Sequence, residues 1–102
     1  MKIQITVRHA EVPETLLAFA SERLSSVERL GAEADRAEII LDQGREGLTC
    51  EVLLHPRRGG DPIVARETSH DQRAAVEVAV AKIETQVARA KGRRDDNRRT
   101  GA

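Results

Sequence analysis

The sequence predicts an α+β protein of one domain, in which two helices pack on one face of a four-stranded, mostly antiparallel sheet. Two patterns lead to this prediction: short apolar–polar alternations typical of half-buried strands, and two stretches with apolar residues at helical spacing. A third observation is their order along the 102 residues, β-α-β-β-β-α, which favours a two-layer sandwich. A chain of this length can build one core but not two. We place the domain at residues 1–91 and expect residues 92–102 to form a disordered, charged tail.

The first strand and the first helix are the clearest elements of the N-terminal third. Residues from Lys2 to Arg8 alternate strictly, with Ile3, Ile5 and Val7 on the face that we assign to the core. Pro13 suits the first turn of a helix, and Gly31 suits its end. The apolar stripe of this helix comprises Leu16, Ala20, Leu24, Val27 and Leu30.

Three further strands occupy the middle of the chain. Their apolar positions are Ala37, Ile39 and Leu41 in the second strand, and Cys50, Val52 and Leu54 in the third. Residues 43–47 and 56–61 are rich in residues that favour turns. The fourth strand runs from Pro62 to Thr68, and its proline indicates a strand at the edge of the sheet.

The second helix falls within residues 70–91 and can be capped by Ser69 or Asp71. Its apolar stripe comprises Val76, Ala79, Val80, Ile83, Val87 and Ala90. Gly92 follows the last apolar position, so we expect the helix to fray there.

Composition argues against several classes of function. Phe19 is the only aromatic residue, so stacking of bases on aromatic rings is essentially excluded. The single cysteine, Cys50, excludes an internal disulfide, and His9, His55 and His70 lie in separate elements without the spacing of a metal site. No nucleophile motif or phosphate-binding glycine loop is present. We therefore expect a protein that is not an enzyme and that uses no cofactor, metal or small-molecule substrate.

The sequence also gives no sign of a membrane segment. No apolar run approaches the roughly 20 residues that a spanning helix needs, and the N-terminus lacks the apolar core of a signal peptide. We expect a cytoplasmic protein without membrane contact.

The charge is zero overall but is unevenly distributed. Residues 1–81 carry ten Lys or Arg against fourteen Asp or Glu, whereas residues 82–102 carry seven against three. On a helical wheel, one flank beside the apolar stripe carries Lys82, Gln86, Arg89 and Arg93, and Lys91 adds a further cation to this segment. Such a row can follow the phosphates of RNA, or it can serve only to keep the helix soluble.

Two stretches resemble the ribosome hibernation promoting factor family, which includes ribosome-associated inhibitors and is also known as the sigma-54 modulation proteins. The first is ITVRHAEVPETLLAFASERLSSVERL at residues 5–30, and the second is HDQRAAVEVAVAKIETQVARAK at residues 70–91. The second stretch is similar to the family pattern at Asp71, Ala74, Ala75, Val76, Lys82, Ile83 and Gln86. Arg73 stands where the family often has Tyr, and Thr85 where it often has Arg.

This resemblance implies a fold like that of double-stranded RNA-binding domains. It also implies binding in the mRNA and tRNA channel of the small ribosomal subunit, so that idle ribosomes are silenced. Arg23 stands where the resemblance implies a basic residue, and it can contact RNA or cover the edge of the core. We expect a short-form factor that is a monomer when free and that contacts rRNA through Lys82, Gln86, Arg89, Arg93, Arg23 and Lys91. The alternative is a protein-interaction module of the same fold that has lost ribosome affinity and binds a protein through the open face of its sheet.

Overall fold

One sheet of four strands and two helices account for the fold. The computed structural model describes the backbone of residues 1–100 and the side chains of residues 1–92. In chain order the elements are β1 (Lys2–Arg8), α1 (Glu14–Arg29), β2 (Ala34–Gly44), β3 (Gly47–Pro56), β4 (Ile63–Ser69) and α2 (Gln72–Thr100). The predicted element order and the α+β class are confirmed.

The strands lie in the order β1-β2-β3-β4. β1 runs parallel to β2, with Lys2 opposite Arg36 and Arg8 opposite Asp42, because α1 carries the chain back across the sheet between them. β2 and β3 form an antiparallel hairpin, and β4 pairs antiparallel with β3. Two of the three pairings are therefore antiparallel, and β4 is an edge strand as Pro62 indicated.

Aliphatic side chains between the helices and one face of the sheet form a single core. α2 packs on β3 and β4, and α1 packs on α2 and beside β1. The largest fully buried side chains are Leu24, Ile39, Leu41, Leu48, Ile83, Val27, Val52, Val76, Val80 and Cys50. The other face of the sheet carries no helix and displays the polar side chains of β1.

The β2–β3 hairpin is longer than the sequence predicted. Gly44 pairs with Gly47, so only Arg45 and Glu46 form the turn. Gly47 has a φ of 116°, a backbone conformation that glycine adopts far more easily than other residues. A Cβ at this position would also collide with the backbone carbonyl of Ser69. Glycine is therefore required where the hairpin meets the end of β4.

The ends of the helices follow the expected capping chemistry. Gly31 closes α1 with a φ of 86°, and its N–H donates to the carbonyl of Glu28 at 3.1 Å. Leu30, predicted to be part of the apolar stripe, lies just beyond the last helical residue and is 43% exposed, so that prediction was wrong. At the start of α2, the Asp71 carboxylate accepts a hydrogen bond from the Ala74 N–H at 3.2 Å.

α2 continues through Gly92 rather than ending there. Gly92 is not among the glycines with positive φ, and a helical glycine costs only about 1 kcal/mol relative to alanine. The side chains from residue 93 onward and residues 101–102 lie outside the described part of the chain. The disordered tail expected at residues 92–102 therefore stays a prediction. Within the described residues, no helix is both long and apolar enough to cross a membrane.

Candidate nucleic-acid interface

One flank of α2 faces the free edge of β4 and forms a shallow groove with it. We call this the β4–α2 groove; its lining residues are Val64, Ala65, Arg66, Lys82, Thr85, Gln86 and Arg89. The helical wheel had placed Lys82, Gln86 and Arg89 on one flank, and the structure brings these three together. Arg66 contributes its backbone carbonyl to the groove. Its side chain alternates with the core residue Ala65 and therefore lies, like that of Val64, on the open face of the sheet beside the groove.

Lys82 and Gln86 are hydrogen-bonded to the edge of the sheet. The Lys82 ammonium donates to the carbonyl of Arg66 at 2.9 Å, and the Gln86 amide donates to the carbonyl of Val64 at 2.9 Å. Lys82 Nζ also lies 3.8 Å from the carboxylate of Glu67. These contacts satisfy backbone acceptors that an edge strand would otherwise expose. Both side chains are thus held in place before any ligand arrives.

Two exposed guanidinium groups lie near this edge: Arg89 in the groove, and Arg66 on the adjoining open face of the sheet, where it lies opposite Glu51. Among the described residues, neither guanidinium forms a hydrogen bond or an ion pair. A guanidinium presents donors in a planar fork that matches the oxygens of a phosphate. Arg89 is therefore suited to bind an anion in the groove, and Arg66 to bind one at the edge beside it.

Sequence reasoning missed Arg66. Its position becomes clear only from the strand register, in which Arg66 lies opposite Glu51 and next to Ala65, a residue of the core. The alternation of Ile63 and Ala65 with Val64 and Arg66 was the available signal, but it spans only four residues.

Arg23 lies on α1 and joins the two helices through Glu84 of α2. Its guanidinium donates to the carboxylate of Glu84 at 2.8 Å and to the hydroxyl of Ser26 at 3.1 Å. The side chain is 28% exposed. Of the two roles left open for Arg23, these contacts favour packing over RNA contact.

Lys91 and Arg93 complete the predicted set. The exposed Lys91 side chain lies against Gly31, where an added Cβ would meet the ammonium nitrogen at 3.4 Å, so it sits near the end of α1 and outside the groove. The side chain of Arg93 lies outside the described residues. The structure thus groups three of the six predicted residues and adds Arg66 to them.

The histidines and the cysteine occupy ordinary structural positions. His55 pairs with Glu38 at 3.0 Å across β2 and β3, and His9 pairs with Asp42 at 3.0 Å. The hydrogen bond from His55 holds the pKa of the Glu38 carboxyl below its ordinary value. Burial raises the pKa of the Cys50 thiol to about 12, which keeps it protonated and unreactive. No group of three or more metal-ligating side chains occurs within the described part of the chain.

Phe19, the only aromatic side chain, is covered by a cation. The guanidinium of Arg73 lies 4.1 Å from the centre of the ring, within the range of a cation–π contact. Arg73 therefore links the start of α2 to α1, and the ring is not displayed for base stacking.

Comparison with known proteins decides the family. Residues 3–95 match the model of the Sigma 54 modulation protein / S30EA ribosomal protein family. The chain belongs to this family. The match covers most of the sequence, including α1, the β4–α2 groove and most of β1 and α2, and it confirms the resemblance found in the two quoted stretches.

A curated relative of the S30EA family and two solved structures agree with this assignment. The chain is 31% identical over 91 residues to the Ribosome hibernation promotion factor of Mycobacterium tuberculosis, covering 85% of this chain but 42% of that protein. The chain thus spans less than half the length of that relative. A ribosomal subunit interface protein from Coxiella burnetii has a similar fold, with a TM-score of 0.79, 22% identity, and coverage of 90% of this chain and 99% of that one. The N-terminal domain of Thermus thermophilus Protein Y also has a similar fold, with a TM-score of 0.73 and 23% identity. That match covers 87% of this chain and 98% of the Protein Y domain.

Proposed function

We propose that this protein is a ribosome hibernation factor that binds the small ribosomal subunit in its mRNA and tRNA channel and inhibits translation under stress. It acts in the cytoplasm, is a monomer when free, and performs no catalysis. Its contacts are to phosphates of rRNA. The observation that carries the proposal is the β4–α2 groove, where Arg66, Lys82 and Arg89 line one surface of an S30EA-family domain.

The groove can bind phosphates without rearranging. The Lys82 ammonium has three N–H donors and uses one on the Arg66 carbonyl, so others remain for a phosphate oxygen. The Gln86 amide keeps its carbonyl oxygen free to accept from a ribose hydroxyl while its nitrogen holds the Val64 carbonyl. Because both side chains are already ordered, little conformational entropy is lost on binding.

The uneven charge orients the domain. The exposed surface of α1 includes Glu14, Glu22 and Glu28, whereas the β4–α2 groove offers Lys82 and Arg89, with Arg66 beside it, and has Glu67 and Glu51 as neighbouring acids. A polyanion is therefore attracted to one side of the protein and repelled from another. This explains how a chain with zero net charge can bind RNA.

A co-sedimentation experiment with purified ribosomes and separated subunits tests the proposal. We expect binding to the small subunit that weakens roughly 20- to 150-fold between about 50 and 200 mM salt, the range for three or four neutralised phosphates. An Arg66→Glu/Arg89→Glu variant should lose this binding. The single Arg89→Glu variant should weaken it as well, and its matched control is Arg45→Glu, which makes the same charge change in the hairpin turn, outside the groove, and should bind like the wild type.

Chemical probing of the rRNA and a translation assay test the finer claims. We expect protection of nucleotides that line the mRNA and tRNA channel, and inhibition of in vitro translation that is lost in the double variant. Protection confined to the outer surface of the subunit would contradict the channel. Binding that is insensitive to salt and to Arg66→Glu/Arg89→Glu would contradict the phosphate mechanism.

One observation favours the alternative, a module that binds a protein through the open sheet face. Ile40 and Leu53 are only half-buried there, and Val64, which pairs with Leu53, is 40% exposed. These side chains form a diagonal apolar strip across the uncovered face. A Leu53→Glu variant that kept full ribosome binding but lost a salt-insensitive protein complex would favour this function over the first.

A further inference from the structure

The two edges of the sheet differ in whether side chains cover their outward-facing backbone groups. At the β4 edge, the carbonyls of Val64 and Arg66 point away from β3 and accept hydrogen bonds from side chains of α2. At the β1 edge, within the described residues, the backbone of Lys2–Arg8 forms no hydrogen bond beyond its ladder with β2. One edge is closed by side chains and the other is open.

The open edge is regular enough to accept another strand. All seven residues of β1 pair with β2 without a bulge. β1 contains no proline and no inward-facing charge, two common devices that prevent an edge from pairing. An added strand would find a continuous row of backbone donors and acceptors.

The inner face of β1 is incompletely covered. Ile3 and Ile5 are half-buried and Val7 is 39% exposed, whereas their partners on β2, Ala37, Ile39 and Leu41, are fully buried. A further strand with apolar residues at alternate positions would cover these three side chains. The exposed apolar side chains of β1 therefore favour a partner strand with apolar residues at alternate positions.

The charged residues of β1 determine which kind of strand can pair with it. Lys2 and Arg8 lie at the two ends of β1, both exposed on the open face, and β1 has no acidic residue. In the antiparallel register that places Ile5 against Ile5 of a second copy, Lys2 would face Arg8 twice, and like charges directly opposite are destabilising. A strand with acidic residues at positions opposite Lys2 and Arg8 is favoured instead.

We propose that β1 is an acceptor edge for an extended segment of another protein, with apolar residues facing α1 and acidic residues opposite Lys2 and Arg8. The segment adds to the sheet as a fifth strand beside β1. Main-chain hydrogen bonds supply affinity, and the alternating side chains supply specificity. This surface is separate from the β4–α2 groove, so both can be occupied at once.

A synthetic peptide, acetyl-Glu-Val-Thr-Val-Thr-Val-Glu-amide, serves as the probe in a titration of the ¹⁵N-labelled full chain by NMR. Because its sequence is the same in both directions, its valines lie opposite Ile3, Ile5 and Val7 in either strand orientation. Its terminal glutamates then lie opposite Lys2 and Arg8. We expect shift changes concentrated in β1 and protection of β1 amides from hydrogen exchange. Replacing both glutamates of the peptide by lysine should weaken binding about tenfold or more, because two cross-strand pairs turn from attraction to repulsion.

Charge exchange and backbone methylation provide the controls. A Lys2→Glu/Arg8→Glu variant should prefer the lysine peptide, which shows that the pairing, and not a damaged fold, sets the preference. The Arg89→Glu variant should bind the acidic peptide like the wild type, because Arg89 lies in the groove. Shifts confined to α2, equal binding of the two peptides, or binding that survives N-methylation of alternate peptide amides would each overturn the proposal.

Discussion

Single side chains in this protein show that exposure and availability are different properties. Lys82 is 47% exposed, yet its ammonium is hydrogen-bonded to the Arg66 carbonyl, whereas the exposed Arg89 forms no such contact within the described residues. A helical wheel assigns both residues to one flank but cannot show what lies beside that flank. The sequence therefore placed Lys82, Gln86 and Arg89 on one flank without indicating that Lys82 and Gln86 also close a sheet edge.

Gly47 provides the sharpest prediction at a single residue. Gly47→Ala should lower the free energy of unfolding by about 2–4 kcal/mol, because the new methyl group meets the Ser69 carbonyl and φ is 116°. Gly60→Ala is the matched control, with a φ of 94° but open space around it, and should cost about 1 kcal/mol. Urea denaturation of both variants measures the difference; equal losses would contradict the close approach.

The His55–Glu38 pair predicts a pH-dependent contribution to stability. The lowered pKa of Glu38 means that its ionised form is favoured by folding, mainly through the hydrogen bond from His55. This stabilisation is present above the ordinary carboxyl pKa and is lost as the pH falls through the lowered value. Glu38→Gln should therefore lower the melting temperature at neutral pH and match the wild type in acid. Glu46→Gln in the hairpin turn should show no such pH-dependent difference, and a constant deficit in Glu38→Gln would contradict the linkage.

At the scale of elements, local patterns were sufficient for each helix and strand but not for every pairing. The alternation of Lys2–Arg8 and the stripe from Val76 to Val87 predicted β1 and α2 directly. Nothing local specified that β1 runs parallel to β2, or that the β4–α2 groove would contain Arg66, because both depend on contacts between distant segments. Hairpin length was also underestimated, since Gly44 and Gly47 both looked like turn residues and instead pair as the last residues of strands.

The α2 contacts at the β4 edge predict a combined effect on stability and association. Lys82→Ala/Gln86→Ala should lower the free energy of unfolding by about 1–3 kcal/mol, because two hydrogen bonds are lost. The exposed edge should also increase concentration-dependent self-association in analytical ultracentrifugation. Arg89→Ala is the control and should leave both quantities unchanged, since Arg89 makes no contact with the edge within the described residues. Unchanged stability in the double variant would show that the two bonds contribute nothing.

The Arg23–Glu84 pair predicts a coupling between the two helices. Arg23→Ala should cost about 1 kcal/mol of unfolding free energy, as expected for a partly exposed ion pair. Ribosome affinity should be unchanged, because the Arg23 guanidinium is already bound by Glu84 and Ser26. Exchanging the charges in Arg23→Glu/Glu84→Arg should restore part of the stability; loss of ribosome binding in Arg23→Ala would instead assign Arg23 to the RNA surface.

For the whole molecule, the distribution of charge matters more than its sum. A chain with zero net charge is an unpromising RNA-binding protein by composition, yet Lys82 and Arg89 lie together in one groove while Glu14, Glu22 and Glu28 lie on the exposed surface of α1. The sequence revealed the excess of cations after residue 81. It could not show that Arg66, from the acidic part of the chain, lies at the sheet edge beside the cations of α2.

A variant that preserves net charge tests this conclusion. Glu22→Lys/Arg89→Glu lowers the charge of the groove by two units, raises that of α1 by two units, and leaves the total unchanged. We expect ribosome affinity to fall about tenfold or more at low salt, because a phosphate contact is lost from the surface that binds. The single Glu22→Lys variant is the control and should bind at least as tightly as the wild type. Wild-type affinity in the double variant would mean that only the net charge matters.

The buried thiol of Cys50 can report how often the centre of the sheet opens to solvent. Cys50 is fully buried in β3, one of the two central strands, and is the only cysteine in the chain. A thiol reagent can therefore modify the native protein only when the centre of the sheet opens, so the modification rate measures that opening without any introduced label. A ligand that binds only the folded chain must slow the reaction in proportion to its occupancy. Ribosomes and strand peptides could thus be compared on one scale with the unmodified sequence.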